Sequence, residues 1–119
     1  MKQVKDKVAV ITGAGSGIGR ALACALAADG ARLALSDIRE QGLAETVEQL
    51  PAGTDVRTYR VDVSSREAVF THADAVKVDF GTAHLLLNNA GTTLIGTFEN
   101  QTIEEIRWLV QINLWGVIY

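Results

Sequence analysis

The stretch Val8-Ala9-Val10-Ile11-Thr12-Gly13-Ala14-Gly15-Ser16-Gly17-Ile18-Gly19-Arg20 decides the fold. Val8 to Thr12 is a short, almost wholly apolar run of the kind that forms a buried strand. Behind the glycines, Ile18, Ala21, Leu22, Ala25 and Leu26 recur at helical spacing as far as Asp29, and Gly30 stands where a C-terminal cap would. A strand, a glycine turn and a helix in that order make an anion site, because the N–H groups at the helix start point outward and the dipole favours negative charge. Glycine is needed there because a Cβ would crowd the turn or the ligand. The pattern G-x-G-x-x-G fails, ending on Ile18 when begun at Gly13 and on Arg20 when begun at Gly15. T-G-x-x-x-G-x-G fits as Thr12, Gly13, Gly17 and Gly19. A triphosphate-binding loop is excluded, since Arg20 and Ala21 stand where G-K-[ST] would require a lysine and a hydroxyl. Taken without their context, the glycines would also suit a plain strand-to-helix turn.

Outward from this turn the alternation repeats. Arg32 to Ser36 reads as a second strand ending at Asp37, and Leu43, Val47 and Leu50 mark a second helix stopped by Pro51. Val56 to Val61 is a third strand, ending at Asp62. Ser64-Ser65-Arg66-Glu67 has the form of a capping box opening a third helix. Ala83 to Leu87 is a fourth strand, and Thr102-Ile103-Glu104-Glu105 opens a helix running towards Tyr119. Alternating strands and helices predict an α/β fold with a doubly wound parallel sheet, the Rossmann fold. That architecture orders six strands 3-2-1-4-5-6, and about four are present. Residues 1–119 are therefore expected to form one dinucleotide-binding domain, incomplete at its C-terminal end. An uncovered fourth strand predicts a chain that alone is unstable or associates.

Composition narrows the classes. The chain of 119 residues is 48% hydrophobic and 21% charged, enough to bury one core. Its net charge of −3 comes with no basic block, which argues against nucleic acid and anionic membranes. Apolar runs are too short to span a bilayer. The charged start Met1 to Lys7 leads into an apolar stretch broken at Gly13, which is not a signal peptide. Cys24 has no partner for a disulfide and reads as a small buried filler in a reducing, cytoplasmic setting. His72 and His84 lack metal-ligand spacing, so no metal site is expected and both take surface or structural roles.

Asp37 names the ligand more closely. It lies eighteen residues beyond Gly19, at the end of the second strand. An acid there accepts hydrogen bonds from the ribose hydroxyls of an adenosine and repels a 2′-phosphate. NAD is therefore expected over NADP, with Arg39 the nearby cation that opposes the choice.

Four segments resemble the short-chain dehydrogenase/reductase family in order and in position. They are Thr12 to Gly19, Asp62-Val63, Asn88-Asn89-Ala90-Gly91, and Asn113-Leu114-Trp115-Gly116. A methyltransferase on a related fold would share the glycine turn and ribose acid but has no reason to carry the last two. The resemblance implies an NAD-dependent oxidoreductase that moves a hydride between the nicotinamide and a carbonyl or alcohol substrate. It implies cofactor contacts at Gly13, Ser16, Gly17, Ile18, Gly19, Asp37, Asp62, Val63, Asn89, Ala90 and Gly91. Asp62 would meet the adenine amino group and the Val63 backbone its ring; taken alone, Asp62 reads as a turn former or helix cap. Asn88 to Gly91 would line the ribose side, although a polar turn explains the same composition.

Asn113 resembles the asparagine of the family's catalytic tetrad, whose main-chain contact holds a water in a proton relay. On periodicity alone it sits on the inward face marked by Ile106, Val110 and Val117, where a buried asparagine bonded to the backbone is the alternative. The tetrad's serine and Tyr-x-x-x-Lys are absent: Tyr59 has no lysine four residues on, and Tyr119 is the last residue. This chain by itself is therefore expected to be inactive, and a dinucleotide-binding module without catalysis is the alternative function. Trp108 and Trp115 are expected in packing or subunit contacts, since the family commonly builds dimers or tetramers through that helix. The loops that choose substrate follow strands five and six.

Overall fold

The computed structural model describes residues 3–91 and 101–119, leaving the first two residues of the charged N-terminal stretch outside the described set. The strands are β1 (Val8–Thr12), β2 (Arg32–Asp37), β3 (Val56–Arg60) and β4 (Leu85–Leu87). Between them run α1 (Gly17–Ala28), α2 (Glu40–Glu48) and α3 (Arg66–Phe80). After β4 come α4 (Ile103–Val110), a π-helical turn (Gln111–Trp115) and the short α5 (Gly116–Ile118). All pairings are parallel and the strand order is β3-β2-β1-β4. This is the 3-2-1-4 portion of the doubly wound order expected from the alternation.

Successive residues of a strand face opposite sides of the sheet, and β1 buries both. Ala9 and Ile11 pack with Leu33 and Leu35 under Ala23 and Ala27 of α1 and Leu43 of α2. Val8 and Val10 pack on the other face with Ala34 under Val76 and Phe80 of α3. Strands covered on two faces must be apolar throughout, which is why β1 and β2 read as unbroken hydrophobic runs. The outer strand β3 is only half-covered and carries Arg57, Thr58 and Arg60 exposed.

Several local readings are corrected by packing. Ser65, not Ser64, caps α3: its hydroxyl accepts the Ala68 N–H at 3.2 Å. Ser64 is drawn back instead, giving its N–H and hydroxyl to Asp62 Oδ1 at 3.0 and 2.6 Å. Thr102 caps α4 as expected, accepting the Glu105 N–H at 3.0 Å. The final helix is not uniform, because the π-helical turn adds a residue and rotates everything after it. Val110, ahead of that turn, and Val117, after it, are 39% and 46% exposed, and Asn113 within it is exposed as well. Cys24 is half-buried.

Both histidines have structural surroundings. The exposed His84 accepts the Val8 N–H at Nδ1, 3.0 Å away. His72 is buried against the Tyr59 ring, 4.7 Å between centroids, with neither ring nitrogen hydrogen-bonded, and burial lowers its pKa below the ordinary 6.5. Burial raises the Tyr59 pKa, and so does its hydrogen bond to Asp79 at 2.7 Å. Among the described residues no His, Cys, Asp and Glu cluster could hold a metal ion, and no helix is long and apolar enough to cross a membrane.

Candidate functional site

A cleft of about 550 Å³ opens at the C-terminal ends of the strands, where open α/β sheets hold their ligands. Gly13, Ser16 and Ile18 form its floor and Asp37 and Ile38 one wall. Asp62, Val63 and Ser64 form a second wall, and Asn89, Ala90 and Gly91 close the side towards β4. Trp108 and Ile112 border it from the C-terminal helix, so Trp108 is a cleft residue where a packing or subunit contact was expected. Nothing in the local sequence distinguishes Trp108 from Trp115; the helix crossing decides it.

The glycine turn is built from what each Cβ would strike. Gly13 takes φ +67°, and a Cβ there would lie 2.9 Å from Ala90 Cα. A Cβ on Gly19 would run into the Gly13 carbonyl oxygen, so the third glycine lets α1 approach the strand end. Gly17 takes φ +52° with open space where its Cβ would be, and neither it nor Gly19 borders the cleft. The N-cap Ser16 of α1 makes no side-chain capping bond, and no acid stands in the first turn. Among the described residues, the leading N–H groups of α1 thus lack the side-chain partners that Ser65 and Thr102 supply to α3 and α4.

Asp37 is held at the rim by two main-chain donors. Its Oδ2 accepts the Gly15 N–H at 2.9 Å and its Oδ1 the Arg39 N–H at 3.0 Å. Each carboxylate oxygen keeps a further lone pair for an outside donor. The Arg39 side chain is exposed and does not border the cleft. Asp62 serves the turn through Oδ1, combining the turn-forming role with a place in the cleft wall. On the β4 side, the Thr12 hydroxyl oxygen accepts the N–H groups of Asn89 and Ala90, at 3.1 and 3.0 Å. Asn89 Nδ2 donates to the Gly13 carbonyl at 3.2 Å. Asn113 lies outside the cleft lining but approaches it: a Cβ on Gly91 would sit 3.3 Å from Asn113 Oδ1.

A donor-rich helix start, a rim carboxylate and a glycine floor define a dinucleotide-type site in an open parallel sheet. The short chain dehydrogenase family model matches residues 7–119, and the chain belongs to that family. A Mycobacterium tuberculosis protein named as an oxidoreductase, SadH, is 49% identical over 119 residues, covering 99% of this chain and 43% of the relative. A Burkholderia phymatum short chain dehydrogenase/reductase solved in complex with NAD superposes with a TM-score of 0.94 at 44% identity, covering 99% of this chain and 42% of that one. An alcohol dehydrogenase from Thermococcus sibiricus complexed with 5-hydroxy-NADP superposes at 0.90 with 37% identity, covering 96% and 49%. The chain spans less than half the length of each.

Proposed function

We propose that this chain is the cofactor-holding portion of an NAD-dependent oxidoreductase acting on a carbonyl or alcohol substrate. The observation that carries the reading is the Asp37 carboxylate, anchored by Gly15 and Arg39 N–H groups at the rim of a cleft that begins on the uncapped start of α1. The uncapped N–H groups of Ser16, Gly17 and Ile18 suit a pyrophosphate, and the glycines leave it room. Asp37 suits a ribose diol and disfavours a 2′-phosphate, and among the described residues no cation borders the cleft to offset it. Asp62 Oδ2, which has no donor among the described residues, suits an adenine amino group beside Val63. Asn89, Ala90 and Gly91 suit the second ribose. When bound, the nicotinamide supplies hydride-transfer chemistry.

Asn113, close to Gly91, suits a main-chain role in ordering water for proton transfer, with the acid and base supplied by a serine and a Tyr-x-x-x-Lys pair outside residues 1–119. The domain is then completed beyond these residues, in a cytoplasmic enzyme. Association into a homo-oligomer through the C-terminal helix belongs to the same reading.

Binding of NAD and NADP to D37A in the protein at its full native length tests the assignment. NAD affinity is expected to fall by about tenfold, the scale of a lost hydrogen bond to a charged group, with NADP little changed. Unchanged NAD affinity overturns it.

A further inference from the structure

The three carbonyls of the glycine turn are each gripped by a side chain from outside it. Asn89 holds Gly13, Thr46 holds Ala14 at 2.7 Å, and Arg20 Nη2 holds Gly15 at 2.6 Å. Arg20 and Thr46 form one unit, since Arg20 Nε donates to the Thr46 hydroxyl oxygen at 2.9 Å. Arg20 also pairs with Glu45 at 3.2 Å, and the Glu45 carboxyl is held below its usual range by bonds from Gln41 and then Arg20. Thr46 is fully buried, and Gly42 makes room for the unit: a Cβ there would lie 2.6 Å from the Gly15 carbonyl oxygen.

Every described peptide is trans, so a carbonyl and the following N–H point in opposite directions. Holding the Ala14 carbonyl on Thr46 therefore turns the Gly15 N–H towards Asp37, where it is found at 2.9 Å. Holding the Gly15 carbonyl on Arg20 turns the Ser16 N–H away from α2, at a residue that borders the cleft. We propose that Arg20 and Thr46 are positioning residues that set both the strength and the NAD-over-NADP selectivity of this cleft. Neither touches the cofactor; they fix the two peptides whose N–H groups serve the Asp37 carboxylate and the ligand's pyrophosphate. A peptide free to rotate would release Asp37 Oδ2 from its anchor and blunt the discrimination against a 2′-phosphate.

The inference rests on the cofactor reading above, and one titration separates their failures. NADH and NADPH are titrated by fluorescence into the wild type, T46V, T46S and R20M at full native length. A wild type that does not favour NADH overturns the cofactor reading itself. With that preference present, T46V and R20M are expected to weaken NADH by about tenfold and NADPH by less than about threefold, while T46S keeps wild-type values. The Arg20 side chain is 23% exposed, so R20M carries the test if T46V does not fold. An unchanged NADH-to-NADPH ratio in the variants overturns the proposal, as does a T46S that behaves like T46V.

Discussion

The Thr12 hydroxyl oxygen and the Ala90 amide nitrogen lie 3.0 Å apart across 78 residues of sequence. The same oxygen also accepts the Asn89 N–H, so one side chain ties the end of β1 to the segment following β4, beside the cleft. A valine keeps the shape and removes the acceptor, leaving the partly buried Ala90 N–H unpaired while the Asn89 N–H keeps the Leu87 carbonyl at 3.0 Å. T12V is expected to lower stability by about 1–3 kcal/mol, and T12S by much less. Denaturant midpoints of the three proteins check this, and equal midpoints would refute the tie.

Gly17 and Gly19 separate the ligand's space from the protein's own. A Cβ on Gly17 meets nothing within 4 Å, so G17A bears only the strain of φ +52°, about 1–2 kcal/mol, and folds. The same strain would shift the Gly17 and Ile18 N–H groups assigned to the pyrophosphate, and NAD affinity is expected to drop. G19A drives a methyl into the Gly13 carbonyl, which cannot move without breaking the turn, and is expected to lose more than about 3 kcal/mol or fail to fold. Thermal unfolding and NAD titration of both variants would show the reverse ranking if this division is wrong.

The two adjacent serines before α3 should respond unequally. S65A removes the acceptor of the Ala68 N–H and should cost about 1 kcal/mol. S64A leaves the Ser64 N–H bonded to Asp62 and should cost less than half of that. Chemical denaturation distinguishes them.

His72 gives the fold a pH dependence of known sign. Burial lowers its pKa from the ordinary 6.5, so the unfolded chain takes up a proton before the folded one does. Stability from this residue is complete above about pH 6.5 and declines as pH falls through the window below it. Replacing His72 with Phe should flatten that part of the profile. Denaturant midpoints at pH 7.5 and pH 5.5 measure it, and the same slope in both proteins would exclude His72 as the source.

Much of the fold was legible because the signals are local. Unbroken apolar strands, helical spacing and the Thr102 cap each depend on neighbours a few residues away, and the sheet order followed from their alternation. Gly13, Ser16, Ile18, Asp37, Asp62, Val63, Asn89, Ala90 and Gly91 all border one cleft. Asn113 was harder to place, since it lies within a π-helical turn, which carries no local signature.

The sequence by itself determined the glycine spacing, the acid at the end of β2 and the parallel architecture that puts them at one end of the sheet. Tertiary structure alone decided that Thr46 and Arg20 together grip the glycine turn and that Trp108 and Ile112 border the cleft. The physical reason is range. Periodicity and turn chemistry act within a few residues, whereas the partner of a buried carbonyl depends on which helix the crossovers lay against it.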